Sequence, residues 1–74
     1  MNDEEMLNLL KEQDHINVKV INRAFDKYGE EICFDLRRAT GQILAENYEL
    51  ALMILKDNPD MKKKFKDVWP LREQ

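Results

Sequence analysis

Hydrophobic positions recur along this chain at intervals of three and four residues, the spacing of one helix face, in four successive segments. The first segment opens at Asn2, which with Glu5 three residues on fits a capping box, and Asp3 and Glu4 suit the positive end of a helix dipole. Met6, Leu7, Leu9 and Leu10 supply its apolar side before Gln13-Asp14-His15 interrupts the pattern. Asp14 either caps a second helix there or lies within one that runs through. Ile16–Val20 alternates apolar and polar as a strand would, but a lone five-residue strand has nothing to pair with. Val18, Ile21, Phe25 and Tyr28, with Ala24 beside them, continue at helical spacing, so a helix is expected, ended by Gly29 as a left-handed cap.

Glu30–Asp57 is the most informative segment. At about 100° per residue, Glu31, Asp35, Arg38, Gln42, Glu46, Glu49 and Lys56 share one narrow polar arc, which only Met53 interrupts. An apolar seam adjoins it: Ile32, Leu36, Ala39, Ile43, Asn47, Leu50 and Ile54. Leu44, Tyr48, Ala51 and Leu55, joined by Cys33, make a second apolar flank. The polar arc keeps its phase across Gly41, which favours one continuous helix over a break with Gly41 as a cap. Tyr48–Leu55 is the densest apolar run in the chain. A helix this apolar needs cover on more than one side.

The last helix is expected to open at Asn58-Pro59, with Asn58 as cap and Pro59 in the first helical position, and to end at Pro70. Met61, Phe65, Val68 and Trp69 form its apolar face, Lys62, Lys63, Lys64 and Lys66 cover the rest, and residues 71–74 are read as a tail.

With 74 residues, only two Gly and two Pro, 36% charged and 43% hydrophobic residues, the chain reads as a single all-α domain, residues 1–74, a small bundle of three to four helices joined by short turns. A helix over residues 30–57 is about 42 Å long at 1.5 Å per residue, whereas a compact domain of this size has a radius of gyration near 11 Å. Such a helix overhangs its own domain. The simplest cover is a second copy of the chain, so a homodimer is expected along the seam, parallel or antiparallel, with Asn47 a polar position able to fix its register.

Charge and chemistry narrow the function. The net charge of −3 weakly disfavours nucleic-acid binding. It is unevenly spread: residues 1–31 carry −4, residues 32–57 carry −1 and residues 58–74 carry +2. One Cys and one His cannot form a standard zinc site, and a lone Cys forms no internal disulfide. Cys33 fits a small core residue and His15 an exposed helix position. No phosphate-binding glycine loop, nucleophile elbow or zinc-protease motif is present. Neither enzyme activity nor a cofactor is therefore expected. The acidic N-terminus lacks a leader's apolar core, and no apolar run reaches the ~20 residues of a membrane span, so a cytoplasmic protein is expected.

Composition of this kind is common among phage-encoded and mobile-element accessory proteins. The expected function is a non-catalytic interaction or regulatory module that binds a host or viral protein. Lys62, Lys63, Lys64 and Lys66 with Phe65 and Trp69 are the candidate contact set for that partner. The same basic helix, used by a dimer, makes a small nucleic-acid-binding regulator the competing reading. A helix-turn-helix around Gly29 is disfavoured, because Glu30-Glu31 at the start of its second helix would repel phosphate.

Overall fold

The computed structural model describes residues 2–70, and it is all-helical there: α1 (Asp3–Tyr28), α2 (Phe34–Leu55) and α3 (Pro59–Lys64). Residues 71–74, the expected tail, lie outside the described residues.

α1 begins where the sequence places it. The Asn2 side chain accepts a hydrogen bond from the Glu5 backbone N–H at 2.8 Å and donates to the Glu5 carboxylate at 3.3 Å. The helix then runs unbroken for 26 residues through Gln13-Asp14-His15. Asp14 does not cap a new helix; its carboxylate is taken by Asn47 across the hairpin. Ile16–Val20 is helical, so its alternation is incidental. Gly29 closes α1 at φ +87°, ψ 164°, its N–H donating to the Phe25 carbonyl at 3.0 Å. Its φ is positive as expected, but its ψ is extended rather than left-handed helical, and it sends the chain into a turn.

That turn takes up residues 30–33, so α2 starts at Phe34 and not at Glu30. The chain must reverse before it can lie back along α1, and four residues of the expected long helix do this. At its other end α2 stops at Leu55, with Lys56 and Asp57 in a turn, so the helix has 22 residues, about 33 Å at 1.5 Å per residue. α2 is continuous through Gly41, as the phase of its polar arc predicts.

Asn58 caps α3, its side chain accepting from the Met61 N–H at 3.4 Å, with Pro59 following. α3 ends at Lys64, well short of Pro70. From Phe65 onward the chain winds in turns, with the Val68 and Trp69 N–H groups both donating to the Phe65 carbonyl at 3.0 Å.

α1 and α2 form an antiparallel hairpin, and α3 with its following turn straps the open end. The main core lies under that strap: Leu7, Leu10, Ala51, Leu55, Phe65 and Trp69 are buried, with Met6, Tyr48, Ile54, Met61 and Val68 packed on them. The Phe65 and Trp69 rings are 5.7 Å apart and tilted. Toward the turn, buried residues thin out to Ile21, Cys33 and Thr40. Two helices alone form that half, so the expected bundle exists within one chain only at the open end. The molecule is correspondingly extended, 42 × 29 × 17 Å, with a radius of gyration of 14.4 Å against the ~11 Å of a compact chain this size.

Candidate protein-interaction face

The seam read from the sequence faces solvent. Leu36, Ile43 and Leu50 are 41%, 42% and 40% exposed. Ala39 is also exposed, Asn47 and Ile54 are half-buried, and Ile32, in the turn before α2, is exposed. A groove of about 340 Å³ lies along this surface, lined by Ala39, Gln42, Ile43, Glu46 and Asn47.

A second stripe, which the sequence reading did not separate, lies beside it on α1. Leu9, Ile16 and Val20 are exposed, and with Gln13 they recur at intervals of four, three and four. Leu9 is thus turned outward, away from Leu7 and Leu10, which face the core. The signal was present in the spacing, but the strand-like alternation at Ile16–Val20 masked it.

Asn47 joins the two stripes. Its side-chain amide donates to Gln13 Oε1 and to Asp14 Oδ1, both at 2.8 Å. Gln13 belongs to the exposed α1 stripe and Asn47 to the α2 seam, so both stripes lie on one face of the hairpin. α3 lies on the other face: Lys64 pairs with Glu4, and Glu4 is nine residues from Gln13, a half-turn offset at about 100° per residue. The strap therefore leaves the two-helix face uncovered. Asn17, one turn after Gln13, has a buried amide nitrogen with no hydrogen-bond partner.

Met53, at 73% exposed, also stands outside the core. Tyr48–Leu55 is accordingly not enclosed all round: Ala51 and Leu55 are buried, while Leu50 and Met53 meet solvent.

The candidate contact set on the last helix is split by the structure. Lys62, Lys63, Lys64 and Lys66 are exposed, and Lys64 is paired with Glu4. Phe65 and Trp69 are buried in the core rather than lying beside the lysines on a contact surface. The aromatic residues hold α3 down and are not available to a partner while it stays folded.

At the turn end, Ile21, Asn22, Phe25, Glu30 and Arg37 line an open groove of about 490 Å³. Arg37 reaches Glu30 at 3.7 Å and lies over the Phe25 ring at 5.7 Å, so these contacts tie the turn to both helices. Cys33 is buried and His15 exposed, far apart on the hairpin. Among the described residues, no three or more His, Cys, Asp or Glu side chains converge to hold a metal ion, and no helix is long and apolar enough to cross a membrane.

The chain matches no family model, no curated protein and no solved structure.

Proposed function

We propose that this chain is a non-catalytic protein-interaction module whose working surface is the two-helix face bearing Leu9, Ile16, Val20, Leu36, Ile43 and Leu50. A second polypeptide, in the first instance another copy of the chain, covers that face. The observation that carries the reading is a pair of exposed apolar stripes side by side on two regular helices, bridged by Asn47 and Gln13, that the chain's own third helix leaves bare. Extended apolar patches on small proteins are characteristic of interaction sites, whereas isolated exposed hydrophobics are ordinary. The polar arc bordering the seam is mostly acidic (Glu31, Asp35, Glu46 and Glu49 against Arg38 and Lys56), which suits a protein partner better than phosphate. In the competing reading, a nucleic acid contacts the exposed lysines of α3, where Asp60 and Asp67 dilute the positive charge.

The test is a photoreactive side chain placed at Ile43, with a second variant carrying it at Lys63, each expressed in the native cell and irradiated. The proposal expects a covalent adduct to a polypeptide at Ile43. A nuclease-sensitive adduct at Lys63 with none at Ile43 favours the nucleic-acid reading, and no adduct at Ile43 under any condition refutes the proposed face.

A further inference from the structure

The face carries an internal symmetry that says how a second copy sits on it. Taking the seam in order, Ile32, Leu36, Ala39, Ile43, Asn47, Leu50 and Ile54, the intervals are four, three, four, four, three and four, the same in both directions about Ile43. The residue types mirror as well: Ile32 with Ile54, Leu36 with Leu50, and Ala39 with Asn47. A two-fold axis perpendicular to α2 at Ile43 sets α2 antiparallel to its copy and brings each of these positions on α2 against its mirror position, Ile32 lying in the turn before the helix. Ile43 then meets itself, and Leu36 meets Leu50 of the second copy. An interface with two-fold symmetry must be self-complementary in this way.

The bordering charges obey the same symmetry. Glu31 and Lys56 lie at mirrored positions in the polar arc, and so do Arg38 and Glu49. Antiparallel pairing opposes Arg38 to Glu49, twice over, and brings the turn that carries Glu31 to the end of the other chain's α2, where Lys56 stands. A parallel two-fold pair instead places the two polar arcs on opposite sides of the interface, where these opposite charges cannot pair with one another. Exposed charge pairs contribute little to affinity but select between orientations.

α1 fits the same axis. Because Asn47 is level with Gln13 and Asp14, Ile43, one turn toward the closed end, is level with Asn17 and Val18. The axis at that level lays Ile16 of one chain opposite Val20 of the other and Glu12 opposite Arg23. More broadly, the Asp3–Asp14 half of α1 holds five acids and one base, and the His15–Tyr28 half holds three bases and one acid. Antiparallel contact therefore sets the acidic half against the basic half.

The accessible surface is 6190 Å², against roughly 4,800 Å² expected for a compact monomer of this mass, so the chain as a whole exposes more surface than one that folds alone into a compact domain.

We infer, building on the interaction reading above, that the partner is a second copy of this chain, packed face to face as an antiparallel four-helix bundle with its two-fold axis at Ile43, and with α3 of each chain on the outside. The test uses the unmodified protein. Chains with natural and heavy nitrogen are mixed, treated with a zero-length carboxyl–amine coupling reagent, and digested for mass spectrometry. Within one chain, Glu31 lies in the turn before α2 and Lys56 just after its last residue, so the 22-residue helix, about 33 Å at 1.5 Å per residue, stands between them and a link has to be intermolecular. The expected result is a Glu31–Lys56 link with mixed isotopes, lost in Lys56→Gln. Arg38→Glu and Glu49→Arg should each weaken self-association roughly tenfold, and the double variant should restore it. Absence of the Glu31–Lys56 link in concentrated protein overturns the pairing, as does a charge-swap double variant no better than the singles. An Ile43 photo-adduct to a different polypeptide without this link defeats the symmetric pairing while leaving the interaction reading intact. Absence of any Ile43 adduct removes both.

Discussion

Replacing Phe65 with alanine separates a structural role for the C-terminal segment from a partner-contact role. Phe65 is buried, lies against the tilted Trp69 ring at 5.7 Å between centroids, and belongs to the cluster with Leu7, Leu10, Ala51 and Leu55. Among the described residues, it, Trp69 and the half-buried Met61 and Val68 pack the strap onto the hairpin core. Truncating a buried Phe to Ala costs about 3–5 kcal/mol, transfer and cavity terms together. A 74-residue domain has a total stability of roughly 4–11 kcal/mol at 0.05–0.15 kcal/mol per residue, so the loss is a large fraction of the whole. Urea unfolding followed by far-ultraviolet circular dichroism, at one fixed protein concentration, measures it. With a slope of about 1 kcal/mol/M for so small a protein, the midpoint should fall by about 3 M or more, or the variant should be largely unfolded in buffer. Trp69, the only tryptophan in the chain, gives an independent signal, since its emission should move toward that of a solvated indole. A midpoint shift of less than about 1 kcal/mol equivalent, in the range of ordinary surface substitutions, would refute the placement of Phe65 in the core and return it to the lysine surface.

Other substitutions test separate parts of the fold. Gly41→Ala should raise stability by about 0.5–1 kcal/mol in thermal or urea unfolding, because Gly41 lies mid-helix and an added Cβ meets nothing within 4 Å; a decrease would argue against continuity of α2. Asn2→Ala should cost about 1 kcal/mol through loss of the helix cap, and Asn2→Asp should retain most of the stability. Asn47→Ala removes the two hydrogen bonds that tie α2 to Gln13 and Asp14 and should cost about 1–3 kcal/mol, with faster amide exchange in the middle of both helices as the local readout. Asn17→Leu replaces a buried, unpartnered amide nitrogen and should leave stability unchanged or raise it by about 1 kcal/mol.

Much of this arrangement was legible in the residues. The caps at Asn2 and Asn58, the end of α1 at Gly29 and the phase of α2 across Gly41 follow from local chemistry that acts within a few residues. The seam was legible as an apolar stripe because its spacing follows one face of a helix. What periodicity does not report is whether an apolar face is buried within the chain or left to solvent. Phe65 and Trp69 read equally well as a contact surface or as core until the strap is folded onto Leu7 and Leu55. The start of α2 was misjudged because Glu30-Glu31-Ile32-Cys33 is compatible with helix, and only the need to reverse the chain after Gly29 makes it a turn. The pairing of the α1 and α2 stripes rests on Asn47 reaching Gln13, thirty-four residues away, a tertiary contact with no signature along the chain.

The mass of the purified, unmodified protein by sedimentation equilibrium, over a range of loading concentrations, tests the covered face most directly. The expected result is a species of two 8.9 kDa chains that dissociates on dilution and is reduced to one chain by Ile43→Lys, with helical content retained. A single 8.9 kDa species at every concentration, unchanged by Ile43→Lys, would contradict a second copy on this face.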